Sequence, residues 1–312
     1  PVPVPGVACN PSDSLPLGQG GLPEGWRESD DLGYAIRQVS RTDMQGLFSY
    51  CSAYGLPALR QQILKRLRAF NIVADESRVL TTTGATHGLD LIIRALLKPG
   101  DCVVVESPGY PNLFEQLRLH GVHMLEVART PRGPDIDALD ALLRVHKPKA
   151  LFINSLCHNP TGSSLSLEVA QQVLLLAQQH EVMVVEDDVY ADFQGRSAVR
   201  LAALDQSGTV VYVGSFSKTL SSSLRVGFVL ASEEIVARLA GVKRITSLGG
   251  SHFSESVLTQ LLANGAYRKL VQRQRLRLRR DLRTALQMLE DREWEVFGKP
   301  TAGLYIWARP KH

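Results

Sequence analysis

Between residues 75 and 230, short apolar runs alternate with longer segments whose apolar positions recur at helical spacing. The runs occupy 78–82, 102–106, 123–127, 150–154, 182–186, 210–213 and 226–230, and helical periodicity covers 86–97, 111–120, 135–145 and 166–180. Runs of four or five residues that are apolar at most positions are strands covered on both faces, because a half-exposed strand would alternate. Strands separated by helices predict an α/β fold with a mostly parallel sheet and helices on both of its faces. Upstream, Pro57 suits a first helical turn, with Leu59, Ile63, Leu64 and Leu67 on one face and Arg60, Lys65, Arg66 and Arg68 opposite. Beyond Ser232 the helices lengthen, and Leu270, Leu278, Leu282, Leu286 and Leu289 form a stripe opposite a run of arginines. Val296 with Phe297, and the stretch 304–307, read as strands of a second, smaller layer, the last of them without an evident partner.

Composition narrows the class. A chain of 312 residues with 44% apolar and 21% charged positions buries roughly three quarters of its unfolded surface, enough for one large domain or two. Disordered and collagen-like chains are excluded. The net charge is only +4, and its excess lies in Arg268, Lys269 and the arginines between 273 and 283, which reads as a solvated helix face rather than a nucleic-acid surface. Cys9, Cys51, Cys102 and Cys157 form no Cys-x-x-Cys pair, which fits a reducing cytoplasm. No apolar run approaches the roughly 20 residues of a membrane span. The eight histidines lack paired ligand spacing, so no metal site is expected. Residues 1–18 are rich in Pro, Ser and Gly and read as an extended arm or linker. The chain starts at Pro1 without the charged start and apolar centre of a signal peptide, so a further segment is expected upstream.

In a sheet of this kind ligands gather at the carboxyl ends of the strands, and the candidate chemistry falls there. Ser215-Phe216-Ser217-Lys218 follows one run and Arg225 precedes the next, so a lysine sits between two buried strands. An apolar setting lowers a lysine pKa from about 10.4 toward neutrality, and a neutral amine attacks aldehydes. The serines before it and the arginine after it are donors of the kind that hold a phosphate. Lysine plus phosphate clamp points to pyridoxal 5'-phosphate, although a solvated loop with a stray Lys and Arg has the same bare pattern. Thr83-Gly84-Ala85-Thr86 opens a helix whose free amides attract an anion. Tyr110 stands at the same edge, Asn159 is held in a Pro-fixed turn, and Glu186-Asp187-Asp188-Val189-Tyr190 closes another strand. Asp187 can keep a pyridine nitrogen protonated and Tyr190 can donate to a ring oxygen. Taken singly, each is equally a turn, a cap or a packed residue.

In order along the chain, Gly84-Ala85-Thr86, Tyr110, Asn159-Pro160-Thr161-Gly162, Asp187-x-x-Tyr190, Ser215-x-Ser217-Lys218 and Arg225-x-Gly227 resemble the signature of fold-type I pyridoxal-phosphate aminotransferases of class I. The resemblance covers nearly all of residues 18–312 and implies a large cofactor domain, 56–245. A smaller α/β domain would be built from 19–55 and 246–312, its carboxyl end incomplete. It implies an internal aldimine on Lys218, Asp187 on the pyridine nitrogen, Asn159 and Tyr190 on the ring oxygen, and Tyr110 stacked on the ring. Ser215, Ser217, Arg225 and the turn at Ala85 and Thr86 would hold the phosphate. Tyr50 resembles the tyrosine that reaches the neighbouring subunit's phosphate, so a homodimer is implied. Gly20 and Gly21 resemble an amino-terminal strand on the substrate side of aminoadipate/kynurenine-type enzymes. The substrates would be an amino acid and a 2-oxo acid. The region that usually carries the substrate-carboxylate arginine is not reached, and Ala85 stands where a serine is frequent. A second resemblance, carried by 212–220 and by Arg200-Leu201-Ala202-Ala203-Leu204, is to the aminotransferase-like effector domain of MocR/GntR-type transcriptional regulators. There the cofactor senses a ligand, and DNA would be bound only through a domain absent from this chain. A pyridoxal-phosphate lyase is a third alternative.

Overall fold

The computed structural model describes residues 20–27, 30–195 and 197–311; the arm at 1–18 lies outside them. The helices are α1 (Glu24–Arg27), α2 (Asp30–Thr42), α3 (Pro57–Arg68), α4 (Gly84–Leu96), α5 (Pro111–Leu119), α6 (Ile136–His146), α7 (Leu167–Gln179), α8 (Leu201–Leu204), α9 (Glu233–Ser247), α10 (His252–Ala263) and α11 (Ala266–Glu290). The strands are β1 (Val79–Thr82), β2 (Cys102–Ser107), β3 (His123–Thr130), β4 (Gly133–Pro134), β5 (Ala150–Asn154), β6 (Met183–Asp187), β7 (Val210–Ser215), β8 (Gly227–Leu230), β9 (Trp294–Val296) and β10 (Ala308–Pro310). Eight of them form one sheet in the order β1-β8-β7-β6-β5-β2-β3-β4. The pairs from β7 through β6, β5 and β2 to β3 are parallel, whereas β8 runs antiparallel to both β1 and β7.

The central strands β2, β5, β6 and β7 are mostly apolar because both of their faces are covered. Along β2, Val103 and Val105 enter a core shared with Leu89, Ile92 and Leu239 of α4 and α9. Val104 enters the opposite core with Leu139 of α6 and Val173 of α7, as a two-residue side-chain period requires. A third cluster packs Leu59, Ile63 and Leu67 of α3 and Leu270 of α11 on Tyr212 and Phe228. Helix α2, which the hydrophobic pattern did not single out, buries Ala35 and Val39.

Two local expectations are corrected. The stretch 304–307 is not a strand: β10 begins at Ala308, where it pairs antiparallel with Val296 of β9, and Phe297 N–H donates to the Trp307 carbonyl at 2.8 Å. Leu304 and Tyr305 instead pack with Tyr190 and Phe193, and that side-chain demand takes them out of the ladder. The last strand therefore does have a partner. Residues 20–23 form no strand either; they run irregularly into α1. Among the described residues no helix is long and apolar enough to cross a membrane, and no group of three His, Cys, Asp or Glu side chains is arranged to hold a metal ion.

Candidate active site

The carboxyl ends of the parallel strands open into a cleft with about 710 Å³ of empty space. Lys218 is delivered by the turn after β7, and its Nζ donates to the Gly20 carbonyl at 2.6 Å. Burial pushes its pKa down, opposed by the charge of Asp187 and reinforced by Arg225. Asp187 ends β6 inside the same cleft. Burial lifts its carboxyl to about 7, against one backbone hydrogen bond, from Val189 N–H at 3.2 Å. An acid and an amine whose ordinary pKa values lie far apart are thus both drawn toward neutrality within one cleft.

The opposite wall is the start of α4. No side chain caps this helix, so its first amides remain free for an anion, and Ala85 and Thr86 line the cleft there. Gly84 adopts φ +78°, and a Cβ on it would come within 2.5 Å of the Arg225 guanidinium. Gly227 is needed for the same junction, since a Cβ there would sit 2.7 Å from the Gly84 backbone. Arg225 donates to the Thr83 carbonyl at 3.3 Å and holds φ +51°, a left-handed conformation uncommon for a side-chain-bearing residue. Ser215 accepts the Ser217 N–H at 3.2 Å, while the buried Ser217 hydroxyl has no partner. An unpaired buried hydroxyl beside free helix amides and a guanidinium is what a phosphate would satisfy.

The floor is held by a buried ion pair. Arg129 donates to Glu106 at 2.5 Å, to the Asn154 carbonyl at 2.9 Å and to Ser163 at 3.0 Å. Glu106 also accepts the Asn154 N–H at 2.8 Å. The Asn154 side chain then accepts the Asn159 N–H at 2.8 Å and donates to the Asp187 carbonyl at 2.9 Å. Asn159 and Asp187 are thereby fixed relative to each other. His158 stays neutral because burial holds its pKa well below the usual imidazole range, with Arg129 adding to the effect.

Of the residues singled out from sequence, Ala85, Thr86, Tyr110, Asn159, Asp187, Tyr190, Ser215, Ser217, Lys218 and Arg225 all line this cleft, and Gly84 lies directly behind Arg225. Gly21 is not brought into it: the residue is exposed, and a Cβ there would meet nothing within 4 Å. Tyr50 stands apart and is 86% exposed, like Phe48. Sequence reasoning missed Asn154, Ser222 and the Arg129 pair. It also missed Tyr305, whose hydroxyl lies 3.2 Å from that of Tyr190.

The family model described as aminotransferase class I and II matches residues 12–312. Among curated relatives, the uncharacterized HTH-type transcriptional regulator YisV of Bacillus subtilis is 28% identical over 95% of this chain and 62% of its own length. The HTH-type transcriptional regulator NorG of Staphylococcus aureus is 29% identical over 83% of this chain and 59% of its length. The chain thus spans about three fifths of these relatives. Among solved structures, LysN, the alpha-aminoadipate aminotransferase of Thermus thermophilus, superposes with a TM-score of 0.86 at 28% identity, covering 95% of this chain and 76% of the other.

Proposed function

The chain belongs to the aminotransferase class I and II family, and from that premise we propose that it binds pyridoxal 5'-phosphate and moves an amino group from an amino acid to a 2-oxo acid. The observation that carries the proposal is the convergence of Lys218, Asp187 and the unpartnered Ser217 hydroxyl on one cleft. Ser215, Ser217, Arg225 and the α4 amides would hold the phosphate, Tyr110 would cover the ring, and Asn159 and Tyr190 would meet its oxygen. Tyr50 would reach the phosphate of a second copy of the chain, which makes the working unit a homodimer. The large domain of that unit would span 56–245, with 19–55 and 246–312 building the smaller one.

When bound, the cofactor supplies an electron sink for the bond cleaved at the substrate alpha carbon. The chain supplies proton control. Asp187, whose carboxyl burial raises to about 7, would ionise beside a ring cation, and as a carboxylate it would keep that nitrogen charged. Lys218, whose pKa burial lowers, is the amine placed to take a proton and return it. The buried Arg129–Glu106 pair and Asn154 keep Asn159 and Asp187 in place while this happens.

A second reading is favoured by the HTH-type regulators YisV and NorG, of which the chain spans about three fifths: the same cleft would serve as the effector-sensing domain of a transcriptional regulator. Adding single amino acids to the cofactor-loaded protein and following the visible band separates the two. Conversion of the band with release of a 2-oxo acid is the expected result. A band that shifts on ligand addition without keto-acid release would favour sensing.

A further inference from the structure

The wall of the cleft at Tyr190 holds a hydroxyl pair that neither the phosphate clamp nor the acid on β6 explains. Tyr305, on the segment between β9 and β10, brings its hydroxyl to 3.2 Å from that of Tyr190, with the two rings edge to face at 5.9 Å. Burial raises the pKa of both phenols, so both keep their protons at neutral pH. Two protons serve one contact, which leaves one to be donated elsewhere. Tyr190 lines the cleft with Asp187 and Lys218. Tyr305 is pinned on two sides by glycines. A Cβ on Gly162 would come within 2.3 Å of the Tyr305 carbonyl, and a Cβ on Gly20 would lie 1.8 Å from its hydroxyl. Gly20 is the residue whose carbonyl receives Lys218. The amino-terminal segment, the lysine and the tyrosine pair therefore form one wall.

We propose that Tyr305 is a positioning residue that donates to the Tyr190 hydroxyl and thereby aims the Tyr190 proton at the cofactor's ring oxygen. This rests on the cleft being a pyridoxal-phosphate site. A hydroxyl that accepts a hydrogen bond is polarised into a stronger donor. A stronger donor to the ring oxygen stabilises its ionised form and weakens its hold on the proton it shares with the nearby lysine nitrogen. The pair thus lowers the pH at which that proton leaves. A tyrosine that only filled space would leave this pH where phenylalanine leaves it.

The test is a pH titration of the visible absorbance of the pyridoxal-phosphate-loaded protein, carried out on wild type, Tyr305→Phe, Tyr190→Phe and the double variant. Tyr305→Phe should still take up cofactor and should raise the midpoint by about 0.3–1 pH unit, the size of one hydrogen bond in a network. Tyr190→Phe should raise it further, and the double variant should match Tyr190→Phe alone, because Tyr305 acts through Tyr190. Gly20→Ala keeps both hydroxyls but displaces one, and should reproduce the Tyr305→Phe shift. An unshifted midpoint in Tyr305→Phe, or additive shifts in the double variant, overturns the proposal while leaving the cofactor site standing. A wild-type protein that develops no visible band with pyridoxal phosphate overturns both.

Discussion

Asp187 and Asp188 are consecutive, yet they serve opposite regions of the molecule. Asp187 turns into the cleft, where its carboxylate accepts from Val189 N–H. Asp188 turns behind the sheet and accepts from Arg200 at 2.8 Å and Tyr212 at 2.7 Å. Arg200 in turn stacks over Phe70 at 4.0 Å and donates to the Ala191 carbonyl, and Arg66 pairs with Asp192 at 2.8 Å nearby. Behind the sheet a buried charge meets its counter-charge within the chain; in the cleft Asp187 and Lys218 meet only backbone groups, and the Ser217 hydroxyl has no partner. A region whose charges are matched internally serves stability, and one whose buried polar groups are left unmatched is where a ligand completes the structure.

The largest effect should come from the cleft. Lys218→Ala is expected to lower amino transfer at least about 10⁴-fold, since proton transfer alone supplies 10²–10⁴, with the melting temperature unchanged or higher and phosphate binding partly retained. Steady-state rates and a thermal melt check both halves. Asp188→Ala should do the reverse. It leaves Arg200 buried without its carboxylate, at a cost of about 3–5 kcal/mol, read as a lower denaturation midpoint.

Asp187→Asn sharpens the contrast because it should stabilise the cofactor-free protein while destroying activity. The folded carboxyl is raised from 3.8 to about 7, so the folded state binds the extra proton between those values. The stability it contributes is complete below about pH 4 and is lost as pH climbs toward 7. An amide has no such dependence, so the variant should gain on the order of 2–4 kcal/mol at pH 8 and nothing near pH 3.5. Chemical denaturation at the two pH values measures this, and an equal gain at both would contradict it. Arg225→Lys should have the smallest effect: it keeps the charge but loses the planar fork, weakening pyridoxal-phosphate binding by about tenfold in a fluorescence titration.

Much of the fold was legible because strands covered on both faces carry continuous apolar runs, and β2, β5, β6 and β7 do so until their polar carboxyl ends. The reversed direction of β8 was not, since nothing in Val226-Gly227-Phe228-Val229-Leu230 encodes which way a strand runs. Leu304-Tyr305-Ile306-Trp307 misled for a related reason: aromatic and branched residues favour strands, but here Tyr305 is claimed by Tyr190. In the cleft, the ten lining residues were visible because they fall at strand ends in a recognisable order. The pairings of Arg129 and Arg200 were not, because the carboxylate of each, Glu106 or Asp188, becomes a partner only after folding.

The central claim is that the amine at 218 is where the cofactor attaches. Incubating the protein with pyridoxal phosphate, reducing with borohydride and mapping peptides by mass spectrometry tests it directly. A single phosphopyridoxyl adduct on the peptide carrying Lys218, abolished in Lys218→Ala, is the predicted result. Adducts scattered over surface lysines, with Lys218 unmodified, would contradict it.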